Sequence, residues 1–135
     1  RFAKLPETLL TWNDPPDRLS RVDDRYSQDA FYRLKCDYLF RAIPEGRPLW
    51  LWGSGRPTRK RFRELDSQRA FSGFVDIDPN KVGQLINGRA VMPPEEVPED
   101  AFVLLGVANP GAREKAIEFM QNRGKHMGRD FLPVA

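Results

Sequence analysis

The chain has one cysteine and one histidine in 135 residues, Cys36 and His126. A disulfide within the chain is therefore excluded. A structural zinc site draws its ligands mostly from Cys and His, and this pair does not supply one. No apolar run approaches the ~20 residues that span a bilayer as a helix; the longest, Ala101–Ala108, has the length of a buried strand. Spacing assembles no Ser-His-Asp, Cys-His or paired-carboxylate set, so no residue is assigned as catalytic and none as a metal ligand. Helix-turn-helix, zinc and aromatic-basic ribonucleoprotein motifs are missing too, which argues against nucleic acid. The sequence opens at Arg1 with neither a methionine nor a signal-peptide pattern. It reads as part of a longer protein, and the lone cysteine points to the cytoplasm.

What is present describes a globular protein: 40% hydrophobic and 30% charged residues, with a net charge of +3. The densest basic cluster is Arg56, Arg59, Lys60, Arg61 and Arg63. It fits a solvated helix face first; a face that attracts phosphate or touches an anionic membrane surface is the alternative.

Two parts separate along the chain, residues 1–46 and 47–135. The first begins with irregular, Pro- and Asp/Arg-rich sequence and then predicts a helix. Ser27 serves as its N-cap and Asp29 sits in its first turn. Ala30, Phe31, Leu34, Tyr38 and Leu39 fall at helical spacing and form one apolar stripe. The segment Ile43-Pro44-Glu45-Gly46-Arg47-Pro48 ends that helix. The second part alternates strands with helices. Strands are predicted at Leu49–Trp52, within Phe71–Ile77, at Ala90–Met92, Phe102–Val107 and Phe131–Val134. Helices are predicted at 56–66 and 112–123. This is an α/β, Rossmann-like parallel sheet of about five strands flanked by helices, in the order 3-2-1-4-5, preceded by an irregular and helical N-terminal tail.

In such a sheet ligands bind where the strand order reverses, at the carboxyl ends of strands one and four. Gly53-Ser54-Gly55 and Ala108-Asn109-Pro110-Gly111 meet there. The glycines admit an anion close to the backbone, and Arg56 offers it a charged hydrogen bond. Asp76 or Asp78, ending strand two, is placed to accept from ribose hydroxyls. The candidate ligand-binding residues are Gly53, Ser54, Gly55, Arg56, Asp76, Asp78 and Asn109. Thr58 stands where a dinucleotide fingerprint has its third glycine, which widens the helix–sheet spacing and turns the reading from a dinucleotide toward a nucleotide or nucleotide-sugar. A ligand-free packing turn is the alternative, with Asp78 capping its own turn before Pro79. Trp50 and Trp52 share a strand face and read as core. Cys36 reads as a buried, inert thiol and His126 as an exposed loop residue.

Trp12-Asn13-Asp14-Pro15-Pro16-Asp17-Arg18-Leu19-Ser20-Arg21, followed by Asp24-Arg25-Tyr26-Ser27 and Ala30-Phe31, resembles the tail of bacterial family 2 glycosyltransferases. Residues Leu51–Gly55, the segment Gly73-Phe74-Val75-Asp76-Ile77-Asp78-Pro79, and Gly88-Arg89-Ala90-Val91 resemble the Rossmann-like module of sugar O-acyltransferases and nucleotide-sugar dehydratases. The resemblance implies the C-terminal region of an enzyme that transfers sugar from a nucleoside-diphosphate sugar in envelope glycan assembly. The implied partners are an upstream catalytic domain and a nucleotide-sugar. It also implies that this stretch is inactive alone, because the acidic metal and base residues lie upstream of Arg1. Pro15 stands where family members often carry a histidine. Trp12, Arg18, Ser20 and Arg21 either touch donor or acceptor or anchor the tail. The alternative is a module of the same enzyme that binds no ligand and serves docking or oligomerisation.

Overall fold

A computed structural model describes residues 15–135. Trp12, Asn13 and Asp14 of the tail motif lie outside the described residues. The chain runs through α1 (Leu19–Val22), a short 3-10 turn at Asp24–Tyr26, and α2 (Gln28–Ala42). There follow β1 (Leu49–Trp52), α3 (Arg56–Arg61), α4 (Arg63–Gln68), β2 (Gly73–Val75), β3 (Leu85–Ile86) and β4 (Arg89–Met92). A 3-10 turn at Pro94–Glu96, β5 (Phe102–Leu105), α5 (Ala112–Asn122) and β6 (Phe131–Pro133) complete it. The sheet order is β3-β4-β2-β1-β5-β6, parallel throughout except for the β3–β4 pair.

The five parallel strands stand in the predicted order. The sixth, β3, was not anticipated. It pairs with β4 through Leu85 opposite Ala90 and Ile86 opposite Arg89. Asn87 and Gly88 form the turn, with φ of 51° and 76°. A two-residue hairpin with positive φ at both central positions favours Asn-Gly, so that dipeptide carried the missed signal.

All four residues of β1 are buried, as are all four of β5. A continuous apolar run suits a parallel strand covered on both faces. Alternation sends Leu49 and Leu51 to one side, where they join Cys36, Leu39, Ile43, Phe62, Leu65, Phe74 and Leu104. Trp50 and Trp52 go to the other, with Val75, Val103, Ala116, Met120 and Phe131. α2, α3 and α4 thus cover one face and α5 the other.

Two predicted helical features differ. The helix over 56–66 breaks at Phe62, whose φ of −105° and ψ of 16° leave the helical region. Its ring is wholly buried. On α2, Leu39 is buried as predicted, but Phe31, Leu34 and Tyr38 are 60%, 55% and 67% exposed. The buried arc is Cys36, Leu39 and Ile43 instead. α2 carries two apolar arcs, and periodicity does not say which one meets the sheet. The arc that continues into Ile43, the C-cap residue of α2, is the one turned to the sheet, and Arg69 holds the Ile43 carbonyl there.

Two arginines lock the amino edge. Arg47 donates to the carbonyls of Asp100 (2.7 Å), Ala101 (2.8 Å) and Arg129 (2.7 Å), joining the approaches to β1, β5 and β6. It also pairs with Asp130 at 3.3 Å. Burial opposes the Asp130 charge, but the His126 N–H and the guanidinium groups of Arg129 and Arg47 outweigh it and hold this carboxyl at about 2. Arg69 donates to the carbonyls of Ile43, Pro44 and Arg47 and so fixes the end of α2 against β1.

Thr58 does not push α3 away from the sheet. Glycines on the sheet side make the room. A Cβ on Gly106 would lie 2.6 Å from Thr58 Cγ2, and one on Gly53 would lie 3.3 Å from it. Gly106→Ala should therefore cost about 1–3 kcal/mol of unfolding free energy. The double variant with Thr58→Ala should lose less than the sum of the two single losses, measured by denaturant titration. Simple additivity would show that the two residues do not share this contact.

Candidate functional site

β1 ends in Gly53, whose φ of +110° only glycine adopts readily. Its N–H completes the ladder by donating to the Val75 carbonyl at 2.7 Å. Gly55 differs. Its φ of −60° and ψ of 148° suit any residue, and a Cβ there would meet only Pro57 Cδ, at 3.8 Å. The fold therefore requires a glycine at position 53 and does not require one at 55.

Asp76 dominates the next shell of contacts. Its Oδ2 accepts from the Ser54 N–H (3.1 Å), the Ser54 hydroxyl (2.5 Å) and Lys81 Nζ (3.2 Å), while Oδ1 accepts from the Asp78 N–H (3.1 Å). Arg59 Nε donates to the Ser54 carbonyl at 2.9 Å. The end of β2 is thereby tied to the turn after β1. Burial of Asp76 works against its charge. The Ser54 hydroxyl, the two backbone N–H groups and Lys81 outweigh that and keep the carboxyl below its ordinary value. Asp78 accepts from the Asn80 N–H and side-chain amide, so it shapes its own turn, and it lies 3.5 Å from Lys81.

Between the two predicted loops opens a cleft of about 890 Å³. Gly53, Gly55, Asp76 and Asn109 line it. Ser54 is buried beneath the turn, and neither Arg56 nor Asp78 is part of the lining. Trp52 forms part of the apolar wall without filling the space, with Phe119 edge-on to it at 5.6 Å. Pro110 sits in the opposite loop, also at the edge of the opening. Three cations border the cleft, Arg61, Lys81 and Lys115; Arg61 belongs to the basic cluster noted in the sequence, whereas Lys81 and Lys115 were not singled out. Two of them lie on helices, at positions that look like ordinary surface charge until the loops are folded together. Among the described residues, the N–H groups of Gly55 and Arg56 have no hydrogen-bond partner.

Helix α3 is six residues long, so few peptide dipoles align behind those N–H groups. Anion recognition here would rest on the N–H groups themselves and on the bordering cations. The remaining reactive groups lie elsewhere. Cys36 is fully buried, with its thiol 3.8 Å from the Arg61 carbonyl, and burial pushes its pKa up. His126 is exposed in the loop before β6. The described residues contain no cluster of three or more His, Cys, Asp or Glu able to hold a metal ion. They contain no helix long and apolar enough to cross a membrane.

No family model matches the chain, and no curated protein or solved structure matches it either.

Asp76→Asn should destabilise the protein by about 1–3 kcal/mol near neutral pH, because four donors lose a charged acceptor. The folded carboxyl is held below its ordinary value of 3.8. Its contribution is therefore full above that pH and vanishes as pH falls through the folded value. The stability gap between wild type and Asp76→Asn should shrink as urea titrations move below about pH 4. A gap independent of pH would contradict the role given to the charge.

Proposed function

We propose that residues 47–135 bind a nucleotide or nucleoside-diphosphate sugar in the cleft between the Gly53-Ser54-Gly55 turn and the Ala108–Gly111 loop. The observation that carries this reading is the open cleft itself, lined by Gly55, whose N–H has no partner among the described residues, beside an apolar wall. A diphosphate would take the Gly55 and Arg56 N–H groups, with Arg61 and Lys115 supplying opposite charge from α3 and α5. Trp52 and Phe119 offer an aromatic edge to a base or sugar ring. Asp76 acts on the ligand through the turn that it holds. In this reading the chain serves a sugar-transfer enzyme of envelope glycan assembly. It supplies no catalytic group of its own and works beside a partner catalytic domain.

A docking module is the second reading. Exposed Phe31, Leu34 and Tyr38 on α2 favour it.

The test is amide chemical-shift perturbation with UDP, GDP and their sugars, alongside NAD and CoA as comparison ligands. Saturable shifts at Gly53, Gly55 and Asn109 with a nucleoside diphosphate or its sugar are expected. Gly55→Val should fold normally, since the position accepts a side chain, and should abolish those shifts by blocking the approach to the N–H groups. No shift at these residues at saturating ligand would leave the turn a packing feature and favour docking.

A further inference from the structure

A second concavity, of about 340 Å³, lies between the start of α2 and the break that separates α3 from α4. Arg33, Lys60, Arg61 and Arg63 converge on it, and Asp29 and Glu64 share its lining. Among the described residues, none of these four cations makes an ion pair, even with those two carboxylates. Elsewhere Arg47, Lys81, Arg89, Arg123 and Lys125 each have an acidic partner, while Lys35, Arg41, Arg56, Arg59, Arg69 and Lys115 have none among the described residues; what sets this depression apart is that four such cations line it together. Four cations against two carboxylates leave the depression net positive, and an anion entering it offsets their mutual repulsion.

The walls share one core. Cys36 and Leu39 of α2 lie in the same buried cluster as Phe62 and Leu65 at the α3–α4 break. The Arg61 guanidinium lies 5.7 Å from the centre of the Tyr32 ring, which also lines the depression. A planar guanidinium held on a ring keeps its edge donors available to a tetrahedral oxyanion. The site is thus concave, cationic and built on two helical elements locked by a shared core.

We propose that this depression is a binding site for an anion of the phosphate class, separate from the cleft at the carboxyl edge of the sheet. Arg61 borders both openings, so the variants that isolate this site leave it unchanged.

The probe is inorganic pyrophosphate, titrated into the full chain by calorimetry and by NMR of the amide and arginine Nε signals. In the Gly55→Val background, which closes the cleft to phosphate, one saturable site is expected, with shifts confined to Tyr32, Arg33 and residues 57–64. Lys60→Gln/Arg63→Gln should weaken binding by roughly tenfold or more, whereas Arg113→Gln should leave it unchanged. Without the anion the double variant should melt no lower than wild type, because repulsion is relieved. In the Gly55→Val background, pyrophosphate should raise the melting temperature only where Lys60 and Arg63 are intact. A second arm measures sedimentation with vesicles of phosphatidylcholine containing phosphatidylglycerol. Vesicle binding that the double variant loses assigns the anion to a lipid headgroup; pyrophosphate binding without vesicle binding assigns it to a soluble phosphate. The proposal is overturned by unsaturable binding, by shifts spread equally to Arg123 and Lys125, or by unchanged affinity in the double variant. Gly55→Val should leave this site intact, so its failure and the failure of the cleft are told apart.

Discussion

Asp76 ties the end of β2 to the turn that leaves β1, and the mouth of the sheet depends on that tie. One carboxylate receives the Ser54 N–H, the Ser54 hydroxyl, the Asp78 N–H and the Lys81 ammonium. A buried carboxylate with fewer partners would be driven toward its neutral form. With these four donors it stays charged and sets the direction of both neighbouring loops. The consequence for recognition is a division of labour within three residues. Gly53 completes the sheet, Ser54 is held from below, and Gly55 begins the pair of N–H groups without a partner among the described residues.

The layer above that turn follows from small residues. Gly106 and Gly53 receive the Thr58 methyl group, so α3 sits close to the sheet without a glycine of its own. Close approach in a strand–turn–helix unit requires room on one side of the contact, and this chain makes it on the sheet. The same economy appears at Gly73, where the Trp50 ring occupies the space a Cβ would need. β1 can then carry two tryptophans on one face while packed between β2 and β5.

Much of this was legible in the sequence because the signals were local and redundant. Leu49–Trp52 and Phe102–Leu105 are apolar at every position, as a doubly covered strand tolerates, and their pairing with each other, with β2 and with β6 followed from right-handed crossovers. The meeting of the Gly53 and Asn109 loops followed from the same topology. The choice of apolar arc on α2 was not legible, since Phe31-Leu34-Tyr38 and Cys36-Leu39-Ile43 have equivalent spacing. Nor was the work done by Asp76. Its position at the end of a strand is the same for a residue that reaches toward ribose and for one that reaches back to a turn, and only the Ser54 contacts distinguish them. The cations at the cleft came from three separate segments, so no motif joined Arg61, Lys81 and Lys115.

Residue-resolved hydrogen exchange of the ligand-free protein tests this account at its centre. The Ser54 amide, held by Asp76, should exchange markedly more slowly than its intrinsic rate, while the Gly55 and Arg56 amides exchange near theirs. Ser54 exchanging as freely as Gly55 would contradict the clamp; strong protection at Gly55 and Arg56 would contradict an open anion-binding turn.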